Sequence, residues 1–165
     1  MSRFVLTILL IITQLLVFGQ PPTLPTEAKP FLLPGYEMLD YKQGDLNADK
    51  RPDAILILKQ TGEDSLYGEE TTRPFILLIR QANGKLKQAL RNDSLVLCRH
   101  CGGVFGDPYQ QTDIHGSGFS IYFYGGSAWR WAYEYKFEYR PARKNWFLVL
   151  ESQSSFSTSD PDMTI

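Results

Sequence analysis

The sequence predicts a domain that is all-β or nearly so, folded as one compact antiparallel sheet or sandwich. Two apolar runs, Ala54–Leu58 and Phe75–Ile79, have the length of strands, are rich in Ile and are bounded by turn residues. Such runs are typical of central strands that are buried on both faces. The stretch "AWRWAYEYKFEYR" alternates strictly between aromatic and other residues, which is the period of a strand. Only "LKQALRN" is ambiguous between helix and strand, because no other stretch combines a helical period with caps.

The chain begins with the layout of a signal peptide. A single Arg precedes two apolar runs, Phe4–Ile12 and Leu15–Phe18, and a Pro-rich stretch follows. The first run is short for a membrane span. Val17 and Gly19 are small enough for the −3 and −1 positions, so we expect cleavage near Gly19/Gln20. No Cys lies near this point, which argues against a lipid anchor. The sequence predicts export to the periplasm or the extracellular space, without a stable membrane anchor.

Removal of the signal peptide leaves about 145 residues, enough for one domain with a real core. We divide the chain into a signal peptide (1–19), a Pro-rich extended segment (20–36), a β domain (37–152) and a Ser-rich C-terminal tail (153–165). The Pro-rich segment either lies along the fold or acts as a spacer. The formal net charge is −1 and the charges are interspersed, which argues against a nucleic-acid partner. The oligomeric state stays open.

Further strands are predicted in the second half of the chain. The stretches "SLVLC", "GFSIYFYGG", "SAWRWAYEYKFEYR" and "NWFLVLES" are separated by breaks that contain Gly, Pro, Asn and Asp. The residues Ala142–Asn145 form a plausible hairpin turn between the last two strands. The polar connection "KQTGEDSLYGEETTRP" predicts a long exposed loop, alone or with one small hairpin.

The stretch "GDLNADKRPDAILIL" carries oxygen ligands at the spacing of a calcium loop. Positions 1, 3, 5, 7 and 9 are Asp45, Asn47, Asp49, the backbone carbonyl of Arg51, and Asp53. Two departures argue against a helix-loop-helix site, because Lys50 stands where Gly is usual and Leu56 replaces the bidentate Glu. We therefore expect a calcium loop that runs straight into a central strand, with the affinity typical of extracellular modules.

The alternative for this stretch is a polar turn capped by its own side chains, which needs no ion. The crowding of three carboxylates into nine residues favours a cation, whose role would be structural. Residues Gly44 to Leu58 resemble the Asp-x-Asn-x-Asp-x-x-x-Asp loop that precedes a strand in FG-GAP and VCBS-type propeller repeats. The resemblance implies calcium binding by the loop. The propeller fold does not transfer, because no further blades are present.

The chain has two cysteines, Cys98 and Cys101. A thioredoxin-type pair would precede a helix, and "GGVFGDPY" cannot start one. A zinc site would need two more ligands, from His100, His115, Asp113 or a second chain. Export favours a short disulfide over zinc or a free or catalytic pair.

The aromatic face of "AWRWAYEYKFEYR" has two interpretations. Either it is the ordinary core face of a sheet, which we favour for the strand as a whole, or it is a binding platform. We expect exposure at the end near "YGGSAWRW", where a Gly-Gly-Ser bend lies beside Trp129 and Trp131. The candidate binding surface consists of Trp129, Trp131, Tyr133, Phe105 and Tyr109.

Catalytic residues are sparse in this sequence. Ser117, His115 and Asp113 lie within five residues, whereas Ser-His-Asp triads are assembled from distant segments, so we set them aside. The segments "GDLNADKRPD", "CGGVFGDPY" and "YGGSAWRWAYEYKFEYR" together resemble a group of small exported bacterial β-proteins of unassigned function. The resemblance implies export and a β domain, and no mechanism. The leading hypothesis is an exported, calcium-stabilised module that binds a protein or a glycan. The alternatives are an exported enzyme acting on cell-wall or glycan material, and an inhibitor or immunity protein of a secreted toxin.

Overall fold

The computed structural model describes residues 23–66 and 71–160, which form two four-stranded antiparallel sheets. The first sheet consists of β1 (Tyr36–Gly44), β2 (Asp53–Gln60), β3 (Arg73–Arg80) and β4 (Leu86–Val96). The second consists of β5 (Tyr109–His115), β6 (Gly118–Gly126), β7 (Trp129–Arg140) and β8 (Asn145–Ser157). In each sheet the spatial order follows the chain order. The prediction of an all-β, sandwich-like domain is confirmed.

The predicted signal peptide lies outside the described residues. Among the described residues, no helix has the length and apolar character needed to cross a membrane.

Strands β2 and β3 lie at the centre of the first sheet and are buried on both faces, as their apolar runs predict. Their inner side chains share one core with the second sheet. This core includes Ile55, Ile57, Phe75, Leu77, Phe119, Ile121 and Phe123. Burial of each such side chain contributes roughly 1.5–3 kcal/mol.

The outer face of the same sheet is covered by the Pro-rich segment. Leu24, Phe31 and Leu33 pack on a second cluster, which is formed by Ala54, Leu56, Leu58, Ile76 and Leu78. The segment therefore lies along the fold. It contains a short 3-10 helix at Lys29–Phe31, although the sequence predicts only extended chain there.

The alternation of β7 sets which face of the second sheet enters the core. Its aromatic side chains pack against the shared core from Trp131 onward, in the order Trp131, Tyr133, Tyr135, Phe137 and Tyr139. Over most of its length, the aromatic face of β7 is therefore the core face of a sheet and not an open binding platform.

Among the described residues, polar contacts such as the following two join the two halves of the sandwich besides the apolar core. The hydroxyl of Tyr109 donates to Oδ2 of Asp40 at 2.6 Å, and burial together with this carboxylate raises the pKa of Tyr109. The indole Nε1 of Trp146 donates to the carbonyl of Leu46 at 2.8 Å. Both bonds link elements far apart in sequence, so they fix how the two sheets sit on each other.

Two strands, β1 and β5, are not evident from the sequence pattern, and some predicted boundaries are wrong. The ambiguous "LKQALRN" lies inside the long strand β4. Strand β8 continues to Ser157, beyond the predicted domain end at residue 152, because its Ser-rich part pairs with β7. The β2–β3 connection is not simply an exposed loop, since a 3-10 helix at Glu63–Ser65 places the Glu63 side chain in the interior.

Candidate functional site

The acidic loop between β1 and β2 is shaped by hydrogen bonds from its own backbone. Oδ1 of Asp45 accepts from the N–H of Asp49 at 3.1 Å, and Oδ2 of Asp45 accepts from the N–H of Lys50 at 2.8 Å. Asn47 Oδ1 accepts from the N–H of Asp49 at 3.0 Å, and Asp49 Oδ1 accepts from the N–H of Arg51 at 2.9 Å. These side-chain contacts to nearby N–H groups are those of Asx turns, which the ion-free alternative requires. They also hold the carboxylates on the inside of the loop.

Asp53 fastens the end of this loop to the sheet. Its Oδ2 accepts from the N–H of Leu46 at 2.9 Å, and its Oδ1 accepts from the N–H of Arg80 on β3 at 2.8 Å. Burial raises the pKa of Asp53, and the charges of Asp49 and Asp45 raise it further. A carboxyl in this setting favours either a proton or a nearby cation.

The loop brings together the three carboxylates that the sequence analysis selected. One oxygen each from Asp45, Asp49 and Asp53 lies within 4.8 Å of the others. Ala48 and Lys50 adopt left-handed backbone conformations with φ of 63° and 66°, so Lys50 takes the conformation for which Gly is usual at this position. The donor set fits a hard divalent cation such as Ca²⁺, because it offers oxygen and no nitrogen or sulfur ligand. Arg51 lies at its edge, with the guanidinium 3.7 Å from Oδ2 of Asp49.

The segment between β4 and β5 is a tightly fastened loop. Cys98 and Cys101 form a disulfide with their Cα atoms 5.2 Å apart, which confirms the disulfide prediction and leaves neither sulfur for zinc. Gly103 has φ of 67° and pairs with Gly126 in a short parallel bridge. The N–H of Val104 donates to the carbonyl of Gly126 at 3.2 Å. The loop is therefore attached to the end of β6.

A buried ionic cluster fixes the other end of this loop. The guanidinium of Arg73 donates to both oxygens of Asp107 at 2.7 Å and to Oε1 of Glu63 at 2.5 Å. Thr71 donates to Oε2 of Glu63 at 3.2 Å, and Arg73 also donates to the carbonyl of Leu97. Burial alone would lower the pKa of Arg73, but the two carboxylates raise it overall. Arg73 and Glu63 are fully buried, so the cluster fixes the loop from the interior.

The fastened loop presents apolar side chains to solvent. Val104 is 77% exposed and Phe105 is 48% exposed. The guanidinium of Arg130 lies 3.8 Å above the centroid of the Phe105 ring, and Tyr124 meets the same ring edge-on at 5.6 Å. Trp129 is also exposed, at 42%, but it precedes Arg130 on β7, so its side chain points to the opposite face of the sheet. We call Val104, Phe105, Tyr124 and Arg130 the tip surface.

The structure divides the five predicted binding residues. Phe105 belongs to the tip surface, whereas Trp129 is exposed on the opposite face of β7 from Arg130. Trp131 and Tyr133 are half-buried and stack on each other at 4.8 Å against the core. Tyr109 does not join the tip, because its hydroxyl is committed to Asp40 and Thr112 between the sheets.

Tyr124 and Arg130 belong to the tip surface but were missed in the sequence. The signal was available for Tyr124, since "GFSIYFYGG" alternates between core residues such as Phe123 and outward residues. A groove of about 350 Å³ opens beside Tyr124 on the outward face, and its lining includes Tyr122 and Ala132.

The histidine set aside in the sequence analysis contacts a different serine. His115 Nε2 lies 3.0 Å from Oγ of Ser120, and that hydroxyl donates to Oε1 of Glu134 at 3.0 Å. The serine hydroxyl therefore bridges the histidine and the carboxylate. Ser120 is also buried, so this chain of contacts joins β5, β6 and β7.

No protein-family model, curated protein or solved structure matches this chain. The fold and the site geometry therefore carry the functional argument alone. They define a two-sheet β domain with an acidic loop between β1 and β2 and an exposed apolar loop between β4 and β5.

Proposed function

We propose that this protein is an exported binding module whose contact surface is the tip surface. The observation that carries the proposal is the exposure of Val104 and Phe105 on a loop that a disulfide, a backbone bridge and a buried ionic cluster hold in place. Exposed apolar side chains on a rigid loop lose little conformational entropy on binding, which favours recognition. Aromatic and Arg side chains are also the residues enriched at interaction hot spots.

The partner that fits this surface best is a protein segment with an apolar side chain. Arg130 covers one face of the Phe105 ring, so that face is not open for stacking on a sugar. Val104 offers an aliphatic contact and no hydrogen-bonding group. The groove beside Tyr124 extends the surface away from the tip and provides room for neighbouring residues of the partner.

A displayed peptide library tests this proposal directly. The wild-type domain should select peptides rich in apolar residues, and Phe105→Ser combined with Val104→Ser should weaken the selected peptides at least tenfold. Leu150→Ser is the matched control, because Leu150 is 45% exposed but lies on β8 away from the tip. The proposal fails if no peptide is enriched, or if the control weakens binding as much as the tip variant. Enrichment only on a glycan array would instead support the glycan alternative.

We also propose that the acidic loop binds one structural calcium ion through Asp45, Asn47, Asp49, Asp53 and the carbonyl of Arg51. The proposal is supported by the proximity of three carboxylate oxygens and by the raised pKa of Asp53, which a cation would reverse. The ion would supply charge neutralisation that holds the β1–β2 connection closed. It would contribute to stability and leave the tip surface unchanged.

A further inference from the structure

A polar cleft of about 380 Å³ opens between the two sheets, where β4 and β8 begin and β7 ends. This volume lies at the lower end of the range of roughly 300–1,000 Å³ for small-ligand sites. Its polar lining comprises two lysines and four carboxamides, namely Lys87, Lys144, Asn47, Gln81, Gln88 and Asn145. Among the described residues, no Asp or Glu lines it.

The two lysines of the cleft are exposed and form no salt bridge among the described residues. The salt bridges formed by lysines in the described part of the chain involve Lys42, Lys59 and Lys136, and neither Lys87 nor Lys144. Two positive charges at the rim of one cleft that has no acidic lining residue favour an anion there. An anionic ligand would give them the partner that the described residues do not supply.

Lys144 also occupies a backbone position that favours another residue. Its φ is 50°, in the left-handed region where Gly or Asn is the usual choice. Its N–H donates to the carbonyl of Pro141 at 3.3 Å within the turn between β7 and β8, but a lysine in this conformation is still less stable than Gly would be. Backbone conformations of this kind are often retained where the side chain has a function.

The other residues that line the cleft favour a ligand with several hydroxyl groups over a simple inorganic ion. Carboxamides both donate and accept hydrogen bonds, as sugar hydroxyls do. Tyr139 and Trp146 form an aromatic wall, with ring centroids 4.9 Å apart, and the Trp146 indole is fixed by its bond to Leu46. Aromatic walls with neighbouring amides suit the apolar faces and hydroxyl edges of sugar rings.

We infer that this cleft binds an acidic saccharide, with Lys87 and Lys144 pairing with its carboxylate and Gln81, Gln88 and Asn145 holding its hydroxyl groups. The cleft is separate from the tip surface, so the inference does not depend on the proposed protein partner. It adjoins the acidic loop through Asn47, whose Nδ2 donates to Oδ2 of Asp49 at 3.3 Å. For this reason binding is measured both with calcium and with chelator.

Isothermal titration with a galacturonic acid trimer, the neutral galactose trimer of the same linkage, and inorganic phosphate tests the inference. We expect the acidic trimer to bind at least tenfold more tightly than either comparison ligand, in calcium or in chelator, and to weaken with added salt. Lys87→Gln and Lys144→Gln should each weaken binding about tenfold. Lys29→Gln carries the same change of charge on an exposed residue of the Pro-rich segment and should leave binding unchanged.

Lys144→Gly separates loss of binding from loss of folding. Gly suits the positive φ at this position, so this variant should fold at least as well as the wild type while it loses about tenfold in affinity. The inference is overturned if the neutral trimer or phosphate binds as tightly as the acidic trimer, if no ligand binds at low salt, or if Lys144→Gly retains full affinity.

Discussion

The guanidinium of Arg73 and the carboxylate of Asp107 are joined by two parallel hydrogen bonds of 2.7 Å, although 34 residues separate them in the chain. Arg73 lies on β3 and Asp107 lies at the end of the loop that carries Val104 and Phe105. The pair therefore connects the interior of the first sheet to the exposed tip. Bidentate pairs of this kind combine strength with a fixed orientation.

Removal of this pair should destabilise the protein and loosen the tip. In Asp107→Asn the buried Arg73 keeps only Glu63 as a charged partner, and we expect the free energy of unfolding to fall by about 2 kcal/mol. The estimate lies below the range for fully buried pairs because the Asp107 side chain is 29% exposed. Urea unfolding measures the change.

The control for this prediction is Asp93→Asn, which breaks the exposed pair between Arg91 and Asp93. Exposed pairs contribute little, so the change should stay within about 1 kcal/mol. Equal effects of the two substitutions would show that the buried cluster does not hold the loop.

Calcium should stabilise the domain measurably if the acidic loop binds it. At free calcium about 100 times the dissociation constant, binding adds about 2.7 kcal/mol to the free energy of unfolding, which raises the melting temperature by several degrees. A thermal melt of the oxidised chain from Gln20, in chelator and then with calcium added back, measures the shift. Asp45→Ala and Asp49→Ala should abolish it, whereas Asp93→Ala should retain it. A melting temperature that is the same in chelator and in calcium would mean that the loop is a turn capped by its own side chains.

The raised pKa of Asp53 predicts an unusual pH dependence in chelator. Burial raises this pKa above its ordinary value of 3.8, so the folded state holds the proton more tightly than the unfolded state does. The resulting stabilisation is complete below about pH 4 and is lost as the pH rises through the raised pKa. Calcium favours the ionised form and should move the titration of the Asp53 carboxyl, followed by NMR, to lower pH.

Asp64 supplies the control of opposite sign. Its hydrogen bond from Arg99 lowers the pKa of Asp64, so its contribution to stability is lost as the pH falls. The difference in unfolding free energy between wild type and Asp53→Asn should therefore fall as the pH rises. The difference between wild type and Asp64→Asn should instead increase with pH. Parallel slopes would contradict the assignment.

The buried hydrogen bond from the Trp146 indole to the Leu46 carbonyl should contribute measurably to the free energy of unfolding. Trp146→Phe leaves the buried Leu46 carbonyl without its indole donor, and we expect a loss of about 2 kcal/mol in the free energy of unfolding. Trp129→Phe is the matched control, since Trp129 is exposed and should change stability by less than about 0.5 kcal/mol. A similar loss in both variants would show that the indole bond does not join the sheets. Chemical denaturation gives both values.

The sequence by itself determined the local features of this protein. The apolar runs Ala54–Leu58 and Phe75–Ile79 predicted the central strands, and the alternation of β7 predicted which of its side chains enter the core. The close approach of Asp45, Asp49 and Asp53 was also predicted, because a loop of nine residues can bring its own side chains together. Such features depend on neighbours in the chain, and periodicity and spacing record them.

Only the tertiary structure decided the contacts between distant segments. It paired Arg73 with Asp107 and Glu63, drew the Tyr109 hydroxyl inward to Asp40, and joined the Trp146 indole to the Leu46 carbonyl. All three outcomes follow from how the two sheets pack, since a polar group in the interior must find a partner wherever the fold supplies one. Periodicity shows which side chains share a face, but only packing shows whether that face is covered.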